Sequence, residues 1–174
     1  GLVNRHTHLC STLAVVMPAS EITTENNFET IREFWLRFDQ AHTLESVSLS
    51  GQVGALAAVR CGTTTLIDHH SSSDAIAGSL TSLSDGVSLV GPRSVLCYGT
   101  TAHHGTEKAR RAIEENERYA LDCQQRDDSR FGAMIGAHAS FSLDDESLEG
   151  CLELARQMGL GIHIHVAEDP QDGA

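Results

Sequence analysis

Two short stretches carry residue types at a spacing that could do chemistry: "RHTHL" at residues 5–9 and "HIHVAE" at residues 163–168. His6 and His8 stand two positions apart, with one residue between them, and so do His163 and His165. In an extended chain such positions point to one face with Cα atoms about 6.5–7 Å apart, so two imidazoles can lean onto one ion at about 2.0–2.1 Å. A lone H-x-H is weak, because chance or packing explains most isolated cases and a catalytic zinc wants three protein ligands. Two pairs, if the fold brings them to one place, point toward a metal. Glu168 stands three residues beyond His165, and a hydrolytic metal site needs a carboxylate that takes a proton from water and hands it to the leaving group. Strict strand alternation would turn Glu168 away from His165, so the strand is expected to end or bulge before it. A solvated loop acid is the plain alternative for an isolated glutamate.

The elements that must position these residues alternate along the chain. Apolar, β-rich runs near residues 1–7, 63–69, 93–99, 132–138 and 160–166 predict five strands. Helical periodicity fills the gaps. "NFETIREFWLRFDQAH" places Phe28, Ile31, Trp35 and Phe38 on one stripe that reads as core, and residues 43–62 form a second helix stopped by Gly62. A third helix is expected within residues 73–91 despite its glycines, and a fourth over 106–126. A last one starts with Ser142 and Asp145 in a capping-box-like pattern and ends at Gly159. This β-α order requires parallel strands joined by right-handed crossovers.

Nine of the ten histidines fall at or just after the C-terminal ends of these strands; only His42 lies elsewhere. In parallel α/β proteins those ends form the functional face. Two architectures suit the pattern: a complete doubly wound domain, or part of an eight-stranded barrel, which needs about 250 residues against the 174 present. The chain starts in a strand and stops soon after the last one, which favours the partial barrel.

Bulk properties narrow the partners. Hydrophobic residues make up 40% of the sequence and the net charge is −12. A surface so acidic repels phosphate backbones and anionic lipid heads, so no nucleic acid and no membrane is expected as partner. No run reaches the roughly 18 apolar residues of a membrane span, and the start lacks the pattern of a signal peptide. Five scattered cysteines without a C-x-x-C pair read as reduced thiols, which points to a cytoplasmic setting. A small-molecule substrate is the partner class these residues suit, and a homo-oligomer is compatible with them.

"GLVNRHTHLCSTL", "GTTTLIDHH", "GAHASFSL" and "GIHIHVAED", in this order, resemble the amidohydrolase superfamily, in its aminohydrolase branch of triazine hydrolases and cytosine, guanine and adenosine-type deaminases. The resemblance spans almost the whole chain. It implies an α/β fold, a TIM-type (β/α)8 barrel of a metal-dependent hydrolase, truncated to about the first five β/α units. Residues 1–174 would then be strands one to five of the catalytic barrel, with a flanking N-terminal β domain and strands six to eight lying outside. It also implies one divalent metal, zinc ahead of iron, held by His6, His8 and His165, with further ligands after strands six and eight. Glu168 matches the family's proton-shuttling glutamate, and His138 matches a histidine that contacts substrate. Binuclear relatives bridge two metals with a carboxylated lysine after strand four; the single lysine, Lys108, lies in a predicted helix, so a mononuclear site is expected.

The activity implied for the intact protein is hydrolysis of a C–N bond, a deamination, in a purine, pyrimidine or triazine-like ring, the segment alone being inactive. Loss of chloride, cleavage of an amide, and a non-catalytic metal-binding protein are the alternatives. His69 is assigned to substrate or to structure in equal measure. His70, His103 and His104 read as loop residues, and His163 as packing below the metal or as support for a ligand. Cys10 continues the His6 and His8 face but reads as buried packing rather than a ligand. Val15 and Val16 stand where relatives often have Arg-Gly, and Arg5, expected to face the helix layer, needs a partner there.

Overall fold

Five stretches of β-branched and small residues form the expected strands, and the fourth is interrupted. The computed structural model describes residues 1–17 and 27–168. Its strands are β1 (Leu2–Thr7), β2 (Thr63–His70), β3 (Arg93–Tyr98), β4 (Phe131–Ala133), β5 (Ile135–Ala139) and β6 (Ile162–His165). Four run in the order β1-β2-β3-β4, and β5 pairs with β6, every pairing being parallel. The bridge Thr100↔Ala137 continues the line of β3 onto β5. Spatial order therefore follows chain order with no reversal. A doubly wound sheet needs a switch point, so the architecture is an arc of a barrel.

The break between β4 and β5 has a side-chain cause. Asn116 inserts its amide at the rim of β3: Tyr98 N–H donates to Asn116 Oδ1 at 2.8 Å, and Asn116 Nδ2 donates to the Tyr98 carbonyl at 2.8 Å. Gly136 N–H reaches the same Oδ1 at 3.3 Å. A side chain at Gly136 would stand 2.1 Å from the Tyr98 carbonyl, so glycine is what lets β5 come this close.

Helices cover the outer face. α1 (Asn27–Thr30) passes through a π-helical turn at Ile31–Trp35 into α2 (Leu36–Gln40). α3 (Leu44–Arg60) starts at Thr43, whose hydroxyl accepts from Ser46 N–H at 3.2 Å. α4 (Ser79–Ser88) begins later than residue 73 because Gly78, in the left-handed region at φ 83°, and Leu80 direct their N–H groups onto the buried Glu115 carboxylate, both at 2.9 Å. The glycines that weaken this segment as a helix serve packing: a Cβ at Gly86 would lie 2.0 Å from the Ser48 carbonyl of α3. α5 spans Thr106–Gln125 and α6 spans Asp145–Met158. The N-cap of α6 is Asp144, which accepts from Ser147 N–H at 2.8 Å, and not Ser142, whose hydroxyl is engaged with His138 and Ala139.

The interior falls into two clusters. One joins β2, β3, α3, α4 and α5 through residues such as Leu66, Leu80, Leu83, Val87 and Leu96. The other joins β5, β6 and α6 through Ile135, Ala137, Cys151 and Leu154. Leu80, Leu83 and Val87 are fully buried, and each such side chain contributes about 1.5–3 kcal/mol. The predicted stripe of the first helix is not part of either cluster: Ile31 and Trp35 face the cavity described below, and the side chain of Phe28 lies outside the described residues. Arg5 is exposed, so its charge stays in water. Among the described residues no helix is long and apolar enough to cross a membrane.

Candidate metal centre

The strand ends bring six of the nine predicted face histidines together: His6, His8, His69, His138, His163 and His165. His6, His8 and His165 each offer one ligand atom, all within 4.8 Å of one another. His165 Nε2 lies 3.2 Å from His8 Nε2 and 3.2 Å from His6 Nε2. Imidazoles at about 2.0–2.1 Å from one tetrahedral ion stand about 3.3–3.4 Å apart, so these separations suit a shared cation.

Proton positions strengthen the fit. His8 Nδ1 is 2.7 Å from the His69 carbonyl, and His165 Nδ1 is 2.5 Å from the His138 carbonyl. A carbonyl only accepts, so both Nδ1 atoms carry the hydrogen and both Nε2 atoms present lone pairs. Two lone pairs facing each other at 3.2 Å repel unless a cation lies between them. Burial, followed by the neighbouring imidazoles, lowers the His8 pKa to about 4, with the His69 carbonyl opposing. Burial and then His165 also lower that of His6, against Glu168. Both shifts favour the neutral ring at His6 and His8, the form that metal binding needs.

Around this triad the remaining candidates take distinct places. His69 is fully buried, with Nε2 on the Ala137 carbonyl at 3.2 Å and its ring against Gly99, where a Cβ would come within 2.4 Å of Cε1. His138 holds Ser142 Oγ through Nδ1 at 2.9 Å, and burial lowers its pKa to about 3. Cys10 is buried, its thiol pKa raised by burial first and by Asp39 and Asp68 next, and it takes no place among the ligand atoms. His70 bonds Ser72 instead, His103 lies near Phe141, and neither joins the cluster.

A cavity of about 240 Å³ is lined by His8, His69, His138, His165 and Glu168 from the strand ends and by Ile31, Trp35 and Asp39 from the helix above them. Glu168 reaches it because β6 ends at His165 and Ala167 adopts φ 59°, a left-handed conformation costly for a residue with a Cβ. Asp39 is the wall residue that sequence reasoning missed. Burial raises its pKa to about 6, and Ser71 donates to Oδ2 at 2.6 Å. Its spacing held the signal, since Ile31, Trp35 and Asp39 recur every four residues on one helical face. Nothing in the sequence marks the left-handed turn at Ala167.

The amidohydrolase family model matches residues 1–174, and the chain belongs to that family. It is 30% identical over 168 residues to the 5-methylthioadenosine/S-adenosylhomocysteine deaminase of Moorella thermoacetica, covering 97% of this chain and 36% of that protein. Among solved structures, the guanine deaminase of C. acetobutylicum with bound guanine superposes with a TM-score of 0.81 at 11% identity, covering 99% of this chain and 40% of that one. An adenosine deaminase from Xanthomonas campestris with bound zinc gives 0.73 at 20% identity, covering 98% and 37%. These likenesses show the same α/β barrel fold, matched over its N-terminal portion. The chain spans little more than a third of the relatives' length.

Proposed function

We propose that the intact protein is a metal-dependent aminohydrolase that removes an amino group from a purine, pyrimidine or triazine-like ring. One observation carries the reading: the imidazoles of His6, His8 and His165 converge beside a cavity that Glu168 also lines. A divalent ion held by these three would lower the pKa of water toward 7. Glu168 takes one proton of the attacking water and passes it to the ring nitrogen as the water oxygen bonds carbon. It then passes the second proton, from the hydroxyl so formed, to the amine, so that the C–N bond breaks, a carbonyl forms and ammonia leaves. His138 hydrogen-bonds the substrate from the wall, and His69 lines the floor. The deaminase named among the relatives supports ammonia as the leaving group.

The reading includes a single ion, zinc ahead of iron, since imidazole suits both and the adenosine deaminase neighbour carries zinc. Lys108 is paired with Asp74 on the outer surface, which supports a mononuclear centre. A histidine after strand six and an aspartate after strand eight would complete the ligand set from barrel strands beyond β6. The cytoplasmic setting rests on five free cysteines. The test is ammonia release by the intact protein from aminopurines, cytosine and aminotriazines, beside its Glu168→Gln variant. The variant should keep its metal and lose about 10²–10⁴-fold in kcat/KM. Near-normal turnover would remove Glu168 from this role, and chloride or an amide-cleavage product in place of ammonia would replace deamination.

A further inference from the structure

His6 differs from the other two ligands because no carbonyl fixes its proton. Its Nδ1 lies 2.8 Å from Nε2 of His163, a contact that leaves open which ring is the donor. The answer lies one step further in. His163 Nδ1 is 3.7 Å from the thiol of Cys97, and Cys97 Sγ is 3.4 Å from the backbone carbonyl of Asp68. That carbonyl can only accept, so the thiol hydrogen points to it. Cys97 Sγ is then the acceptor for His163 Nδ1–H. His163 therefore has a lone pair on Nε2, His6 Nδ1 must donate to it, and His6 Nε2 is left as a lone pair facing His165.

We propose that Cys97 and His163 form a hydrogen-bond relay that sets the tautomer of His6, which makes His163 a positioning residue and not a ligand. Cys97 is fully buried on β3, where, among the described residues, the Asp68 carbonyl and His163 engage its sulfur, so the polarity of the relay is anchored in the β2 backbone. This explains why the second H-x-H supplies one ligand atom and not two: the His163 ring is spent on His6. The inference rests on the metal-centre reading above, and it deepens that reading.

The test compares three variants of the intact protein by chelator competition for zinc, together with ¹⁵N shifts of the His6 ring before metal is added. His163→Leu removes the acceptor and should weaken zinc binding about 10–100-fold, with loss of the pure Nδ1–H signature of His6. His163→Gln places an amide oxygen near the former Nε2 position and should recover most of both. His8→Ala removes a ligand and should abolish zinc retention. Wild-type affinity in His163→Leu, with zinc lost in His8→Ala, would overturn the relay alone. Equal losses in the Leu and Gln variants would reduce His163 to packing and overturn it too. Full zinc in His8→Ala would overturn the metal centre and the relay together.

Discussion

The two H-x-H pairs share a spacing and differ in use. In the first, at the end of β1, both rings offer an atom to the cluster that could hold a metal; in the second, at the end of β6, only His165 does. The difference arises from what lies behind each ring. His8 and His165 have a peptide carbonyl at Nδ1, whereas His6 has another imidazole there. Spacing alone places two rings on one face, but the partner of the far nitrogen decides which ring can bind a cation. A histidine pair is therefore half of a statement, and the other half is written in the neighbouring strands.

Breaking the pairs one ring at a time tests that difference. The largest effect is expected for His6→Ala, His8→Ala or His165→Ala, each of which should strip the intact protein of bound metal, measured as metal content after gel filtration; stoichiometric metal in all three would end the distinction between the pairs. A smaller effect should strike the first pair through its backing alone. Gly99→Ala forces a Cβ to within 2.4 Å of the His69 ring, whose carbonyl holds His8. It should cost about 1–3 kcal/mol of folding stability in urea titrations, and an unchanged midpoint would mean that His69 moves aside freely.

The smallest effect belongs to a histidine outside both pairs. His70 is fully buried against Ser72, and burial, then His42 and His8, lower its pKa to about 3 from an unfolded value of 6.5. The unfolded chain binds a proton there that the folded chain refuses, so stability is present above about pH 6.5 and is lost as pH falls from there toward 3. His70→Gln keeps a donor for Ser72 and does not titrate. Its stability should fall about 1 kcal/mol less than that of the parent between about pH 6.5 and 5.5. Asp39 and Asp68, with pKa values raised by burial to about 6 and about 7, work in the opposite direction in both proteins and cancel in the difference.

Much of this was legible in the sequence. The strand positions followed from β-branched runs, and the gathering of histidines followed from their place at strand ends. Glu168 required the strand to stop early, and β6 does stop at His165. What stayed hidden depends on contacts distant in the chain. No local pattern shows that Asn116 will stand in the ladder beside Tyr98, that Trp35 will face a cavity instead of the core, or that Asp144 will displace Ser142 as a cap. The role of Cys97 was equally out of reach, since its partners come from β2 and β6.

The interruption of the sheet at Asn116 has a mechanical meaning. His6 and His8 sit on the part of the molecule organised by the larger apolar cluster, and His165 sits on the part organised by the smaller one. There the ladder is interrupted and then resumes, with Thr100 N–H donating to the Gly136 carbonyl at 3.1 Å and His138 N–H to the Thr100 carbonyl at 2.8 Å, so a short run of backbone pairing and the Asn116 amide join the two parts. A cation gripped from both sides would act as a rivet across that seam. It would bind two separately organised blocks into one cooperative unit, with the free energy of binding added to the joint.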